Sequence, residues 1–295
     1  MSAAPQFNSR STKAQNVGRV RLTGIGLWGP GFNSYSDYKV CNTIGEDAQA
    51  DRSVGKPLVS LIPANERRRA PLAVKAAVSV CEEALNASGM NANDFACVFG
   101  SSMGDTDLTD YMCRVLAQDP AMLSPTKFHN SVHNAAAGYW TIASGCQQAA
   151  NSVAAQEYTA GMALFEAVTQ SIHEQTPVLL SLFDTAVSAS YKSLYALDDS
   201  FACALALLPD SYQQQNDHRA SSSNQPLFDL DMTMVSAPVP KTVTGTEPPS
   251  LNKLNNLSAE ILALLDTQLT NKSATMSLAL SAQSHLVINV KPISG

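Results

Sequence analysis

Apolar and polar residues alternate with a period of two over residues 17–27, VGRVRLTGIGL, which predicts a strand running into the glycine-rich turn WGPGFNS. Residues 30–60 lose the pattern and read as irregular and polar. From Asn65-Glu66 onward Ala73, Ala76, Ala77, Val80, Ala84 and Leu85 recur at helical spacing, predicting one helix that stops at Gly89. FACVFG at 95–100 is a short continuous apolar run, as expected for a strand covered on both faces. Residues 105–117 predict a helix and 118–133 a loop. A small-residue helix follows at 135–144, a strand at 152–155, and a long helix from about Gln156 to His173. PVLLSLF (177–183) and SFACALALL (200–208) are further buried strands. An amphipathic helix at 257–269 and apolar runs at 276–282 and 285–290 close the chain, the last with strand character. Strands alternating with helices predict an α/β layered fold.

Between these elements lie two polar, low-complexity stretches, 210–227 and 238–254. They divide the chain into a flexible tail (1–16) and a domain (17–295). Within the domain, 17–210 is the main body, 211–256 a polar insertion or linker, and 257–295 a short C-terminal part. The chain has 295 residues, 45% of them hydrophobic, so it can bury a sizeable core. Its net charge of −6 speaks against a nucleic-acid partner, and its only basic cluster is Arg67-Arg68-Arg69. No apolar run reaches the roughly 18 residues of a membrane helix, and the N-terminus lacks a hydrophobic signal core. A cytoplasmic protein is expected. The six cysteines form no C-x-x-C and no zinc spacing with histidine, so they read as buried thiols, with neither metal nor cofactor expected.

The segment richest in chemistry is 123–167. Its strand meets its second helix at Ala154-Ala155-Gln156-Glu157. A helix N-terminus stabilises negative charge, so a nucleophile is expected at such a junction. The residue there is an amide.

Phe128-His129-Asn130-Ser131 through Ala136-Ala137-Gly138 resembles the segment that precedes the active-site cysteine in β-ketoacyl synthases. In that family a loop, an Ala-Ala-Gly helix start and a strand ending in Thr-Ala-Cys follow at nearly this spacing. Without gaps the cysteine falls on Glu157. With a one-residue gap it falls on Gln156, and Ala154-Ala155 then match Thr-Ala. Gln156 is preferred, since glutamine in this place is similar to the chain-length-factor subunits of heterodimeric ketosynthases. The resemblance implies a thiolase-like layered fold with the N-terminal ketosynthase half retained. The C-terminal half is strongly reduced, because neither histidine motif of the family occurs in 210–295 and only His285 falls near its last loop. It also implies a non-catalytic subunit, of the truncated kind found in aryl polyene biosynthesis. Such a subunit pairs with a catalytic ketosynthase and meets an acyl carrier protein transiently. The implied tunnel or interface residues are Met112, Val115, Leu116, Asn134, Trp140, Val153 and Tyr158. A glutamine-type malonyl decarboxylase and a purely structural scaffold are the alternatives.

Other chemistry is weaker. Cys146 could be a nucleophile with His129 or His133 as base, but no strand delivers it, and a structural thiol is favoured. Gly24-Ile25-Gly26-Leu27-Trp28-Gly29 has glycines at the dinucleotide spacing, but no helix pattern starts after it, and it reads as a tight turn. Arg67–Arg69 read as a solvated helix turn, with a phosphopantetheine or carrier-protein contact as the sharper alternative.

Overall fold

The computed structural model describes residues 13–44, 53–195, 197–212, 228–240, 254–269 and 273–293. One long strand, β1 (Ala14–Trp28), organises them. Its C-terminal part pairs antiparallel with β5 (Phe201–Pro209), and its N-terminal part pairs antiparallel with β6 (Phe228–Val235). Outside β5 come β4 (Val178–Asp184), β2 (Ala96–Gly100) and β3 (Ala150–Val153), and β2 is parallel to both of its neighbours. Outside β6 come β8 (Ser284–Pro292) and β7 (Ala274–Ser281), all antiparallel. The result is an eight-stranded sheet in the order β3-β2-β4-β5-β1-β6-β8-β7. The five strands up to β1 fall within 17–210 apart from the first residues of β1, while β7 and β8 fall within 257–295 and β6 in the segment between.

Helices α3 (Leu72–Ser88) and α6 (Ala135–Ser144) cover one face of the five strands, and α7 (Thr159–Glu174) covers the other. The same α7 also packs against β7, so the sheet's two ends lie on opposite sides of it. That position explains its small inner residues, Ala160, Gly161, Ala163 and Ala167, all buried. A Cβ on Gly161 would lie 2.2 Å from Ala279 O of β7, and one on Gly100 of β2 would lie 2.8 Å from Ala163 Cβ. The buried side chains form two clusters, one around α7 and one under α3 and α6.

The glycines of 24–29 have a different role from the tight turn expected. Gly24 and Gly26 lie inside β1 under α3, where a Cβ would stand 2.1 Å from Ala84 O and 2.0 Å from Val80 O. Only Gly29 belongs to a turn, bridged to Phe32. The helix expected from 65 to 88 is broken into α2 (Ala64–Arg69) and α3. Pro71 disfavours helical backbone at the residue before it, and Ala70 is extended (φ −65°, ψ 132°). Gly89 caps α3 with φ 66°, as the sequence implies. Residues 35–44, in the stretch read as irregular, form α1 (Tyr35–Ile44). The expected helix at 105–117 is α4 (Thr106–Gln118), capped by Asp105, whose Oδ1 accepts the Leu108 N–H at 2.8 Å. The loop expected at 118–133 contains α5 (Pro125–His129).

Two boundaries differ from expectation. The tail ends earlier, with β1 beginning at Ala14, while residues 1–12 lie outside the described residues. The segment 211–256, read as insertion or linker, contains β6, whose Phe228, Leu230 and Met232 are buried; 213–227 and 241–253 lie outside the described residues. The expected helix at 257–269 starts as a 3-10 turn (Leu257–Ile261) and continues as α8 (Leu262–Leu269). The side of β6-β8-β7 turned away from α7 is polar. Asp231 accepts from Arg19 Nε at 2.6 Å and from Lys291 Nζ at 2.7 Å, and Thr275 Oγ1 donates to Asn289 Oδ1 at 2.7 Å.

Candidate functional site

β3 ends at Val153, and the chain turns through Ala154 and Ala155 into a 3-10 turn, Gln156–Tyr158, before α7 begins. Gln156 has φ 52°, a left-handed backbone that a side chain adopts only when its surroundings impose it. The restraint is Thr159, itself 1% exposed. Its Oγ1 accepts the Ala155 N–H at 2.9 Å and donates to Gln156 O at 2.7 Å. The Tyr158 N–H closes the turn on Ala155 O at 3.0 Å. Behind this turn Gly161 pins α7 to β7. The side chains of Gln156 and Glu157 are exposed, while Tyr158 and Val153 are half-buried. The arrangement projects an amide from a strained strand-to-helix corner, on the N-terminal, partially positive side of a helix. An amide there can donate and accept hydrogen bonds, but it has no thiolate to offer.

Beside the corner the sheet is open. β3 is the last strand of its side, and its residues Ala150 and Asn151 are exposed. On α6, Ile142 is 85% exposed. Next to it runs a groove of about 790 Å³, walled by Leu61, Ile62, Val132 and Ile142 and rimmed by Arg69 and Asn134. Asn130 stiffens its floor, donating from Nδ2 to Arg69 O (3.3 Å) and accepting from Tyr139 OH (3.2 Å).

The other residues singled out from sequence are dispersed. Met112 and Val115 on α4 are half-buried and Leu116 is exposed, and none of the three lines the groove. Trp140, expected at a tunnel or interface, is wholly enclosed under α6 within the chain. Cys146 lies after α6, 5% exposed, with its Sγ donating to Phe95 O at 3.5 Å. His133 Nε2 sits 3.0 Å from Ser101 O, and His285 Nδ1 2.7 Å from Ala237 O. Neither is bonded to Cys146 or to Gln156. Cys81, Cys97 and Cys203 are buried as expected, but Cys113 is exposed and Cys41 intermediate. The arginines are engaged locally: Arg67 donates to Val59 O, Arg68 to Asn65 Oδ1 at 2.5 Å, and Arg69 pairs with Glu66 at 3.6 Å. Among the described residues no group of three or more His, Cys, Asp or Glu could hold a metal.

The sequence reading missed Asp184. It ends β4, is 1% exposed, and accepts four hydrogen bonds: from Ser101 Oγ (2.9 Å), Ser102 N (2.9 Å), Met103 N (3.0 Å) and Ser258 Oγ (2.7 Å). Burial pushes its carboxyl up, against the pull of these donors. It ties the loop after β2 to the start of the C-terminal helical turn, at the carboxyl ends of the parallel strands, where open α/β sheets place their ligands. The available signal was a lone Asp ending a continuous apolar run.

The family model described as β-ketoacyl synthase, N-terminal domain, matches residues 44–277. No curated protein matches the chain. Among solved structures it is similar to a ketosynthase in complex with its chain length factor from Xenorhabdus doucetiae, with 22% identity and a TM-score of 0.66 over 92% of this chain and 98% of that one. It is also similar to the ishigamide ketosynthase/chain length factor (14%, TM-score 0.65, 94% and 100%). A third similar structure is a β-ketoacyl synthase from Burkholderia phymatum STM815 (11%, TM-score 0.69, 94% and 100%). At these identities the likeness is one of fold.

Proposed function

This chain belongs to the β-ketoacyl synthase N-terminal-domain family, and we propose that within it the chain is a chain-length-factor subunit without condensing chemistry of its own. The observation that carries the reading is Gln156. The left-handed corner that presents it is built like a nucleophile elbow, and the amide it presents cannot form a thioester. Gln156 rather than Glu157 takes the place of the family's cysteine, because the strained backbone is at 156. None of the described histidines is bonded to that corner, which weighs against a glutamine-type decarboxylase.

The partner is a catalytic ketosynthase, which supplies the cysteine and the histidines. It docks along the open edge of β3 and the exposed face of α6, adding backbone partners where the sheet stops. Similar folds have been solved as a ketosynthase in complex with its chain length factor, which supports the pairing. An acyl carrier protein visits the pair with the growing chain. The strongly reduced C-terminal half directs the reading to the truncated factors of aryl polyene assembly. In the pair this subunit walls off the growing chain, with Met112, Val115 and Leu116 of α4 as the length-setting side chains.

The test is co-expression with a ketosynthase, mass measurement of the complex, and mass analysis of carrier-bound products. A one-to-one complex is expected, and the chain alone should stay unacylated by an acyl carrier thioester. Met112→Trp or Leu116→Trp should shorten the products while early elongation continues, because overpacking costs about 1–3 kcal/mol only when the chain reaches the obstruction. Cys146→Ala should leave activity within a factor of a few. Unchanged product lengths in every stable variant would leave only a scaffold role. A monodisperse monomer with no affinity for any ketosynthase would overturn the pairing itself.

A further inference from the structure

Two thiols converge under α6 in a way that the proposed function does not use. Cys97 lies on β2, fully buried, and Cys146 lies in the turn that follows α6. Both sulfurs point at one acceptor, Phe95 O, from 3.8 Å (Cys97) and 3.5 Å (Cys146), and the two side chains interact directly. Trp140, also fully buried, directs its indole Nε1 toward Cys97, and that N–H has no regular hydrogen-bond partner. The Gln148 N–H points at the Cys146 sulfur. The pair therefore has the N–H groups of Trp140 and Gln148 beside it and shares the Phe95 carbonyl.

We infer that Cys97 and Cys146 are a peroxide-responsive thiol pair that closes to a disulfide, stapling the turn after α6 to β2. Cys146 reacts first. Its sulfur is the less enclosed of the two, and the donors favour its thiolate. The Cys97 thiol pulls its pKa down, burial opposes this, and the Gln148 N–H adds to the lowering, while Cys97 is pushed up. The Cys146 thiolate attacks one oxygen of hydrogen peroxide and breaks the O–O bond, leaving a sulfenic acid and hydroxide, which takes up the proton Cys146 had lost. The Cys97 sulfur then attacks the sulfenic sulfur. The S–S bond forms, and the departing hydroxyl leaves as water with the Cys97 proton. Two thiols and one peroxide become one disulfide and two waters. The staple holds the connection from α6 into β3, the strand at the open edge.

The experiment treats the folded full-length chain with hydrogen peroxide, blocks the remaining thiols by alkylation, and maps peptides without reduction. A linked Cys97–Cys146 peptide is expected, with loss of two hydrogens from the intact mass, two fewer alkylated sites and a fall in Trp140 fluorescence. Cys97→Ser should trap Cys146 as an oxygen adduct with no internal crosslink, and Cys146→Ser should leave Cys97 reduced. The peptide map of the parent chain decides the matter even if a variant folds poorly. No linked peptide at peroxide doses that already oxidise exposed Cys113 would overturn the inference. So would a linked peptide that forms equally well in denaturant, since then the fold is not bringing the thiols together.

Discussion

Gly161→Ala and Gly138→Ala make the same chemical change in helix interiors, and the structure predicts opposite signs. Alanine gains up to about 1 kcal/mol over glycine from helix propensity at either place. At Gly138 of α6 a Cβ meets nothing within 4 Å, so that gain is kept. At Gly161 of α7 the Cβ would stand 2.2 Å from Ala279 O, whereas ordinary contact begins at 3.4 Å. The obstacle is backbone of a hydrogen-bonded strand, so α7 and β7 must part by about an ångström. Overpacking of this kind costs roughly 1–3 kcal/mol. Subtracting a propensity gain of about 1 kcal/mol leaves Gly161→Ala up to about 2 kcal/mol less stable than the parent, and Gly138→Ala up to about 1 kcal/mol more stable. For a chain of this size each kcal/mol moves the melting temperature by about 2–4 °C. Thermal unfolding followed by circular dichroism, on the three proteins in parallel, reads both shifts. If Gly161→Ala melts at or above the parent, or if the two variants shift in the same direction, the close approach of α7 to β7 is wrong, and with it the placement of α7 between the sheet's two ends.

Asp184→Ala would strand four buried donors, each costing about 1–3 kcal/mol without an acceptor, so a loss above about 3 kcal/mol is expected in chemical denaturation. Asp184→Asn keeps one acceptor oxygen and should lose less; equal losses would refute the hydrogen-bond account. The acid limb of stability should carry a small contribution from Asp231, whose carboxyl is held below its usual range by the hydrogen bond from Arg19 and then by Lys291, against burial. A lowered folded pKa stabilises above the unfolded value of about 3.9, and that contribution is lost as pH falls through the folded value. The groups are partly exposed, so Asp231→Asn should remove less than about 1 kcal/mol at neutral pH, and none in strong acid.

Much of this architecture is legible in the chain because burial on both faces leaves unbroken apolar runs. FACVFG, PVLLSLF and SFACALALL are strands within a residue or so of expectation, and the helix at 135–144 agrees at both ends. What the sequence concealed depends on neighbours distant in the chain. DLDMTMV does alternate, but its charges and polar flanks read as linker until Arg19 and Lys291 are seen to neutralise Asp231 across the sheet. Gly24 and Gly26 resemble a turn because the carbonyls of Val80 and Ala84 that crowd them come from another element. At the candidate site, the kind of corner and its missing nucleophile could be read from Ala154-Ala155-Gln156. The left-handed backbone at 156 could not, because Thr159, in the helix that follows, imposes it. Trp140 lies in the core, one of the two places, core and interface, that a tryptophan on a small-residue helix suits equally well.

The place of β1 has a consequence for how the molecule is made. It leaves the ribosome before the other described strands, yet one of its edges waits for β6, and the sheet is not finished until β8 has threaded between β6 and β7. Contacts between the two ends of a chain are slow to form, because loop closure precedes any reward from them. Until β7 emerges, the side of α7 that it covers, with Gly161 and its small neighbours, stays bare. An unfinished chain of this kind exposes apolar surface at both sheet edges at once. A nascent chain stalled before β7 is therefore the form most in need of a chaperone, and a C-terminal deletion of even one hairpin should strike solubility before it strikes anything at Gln156.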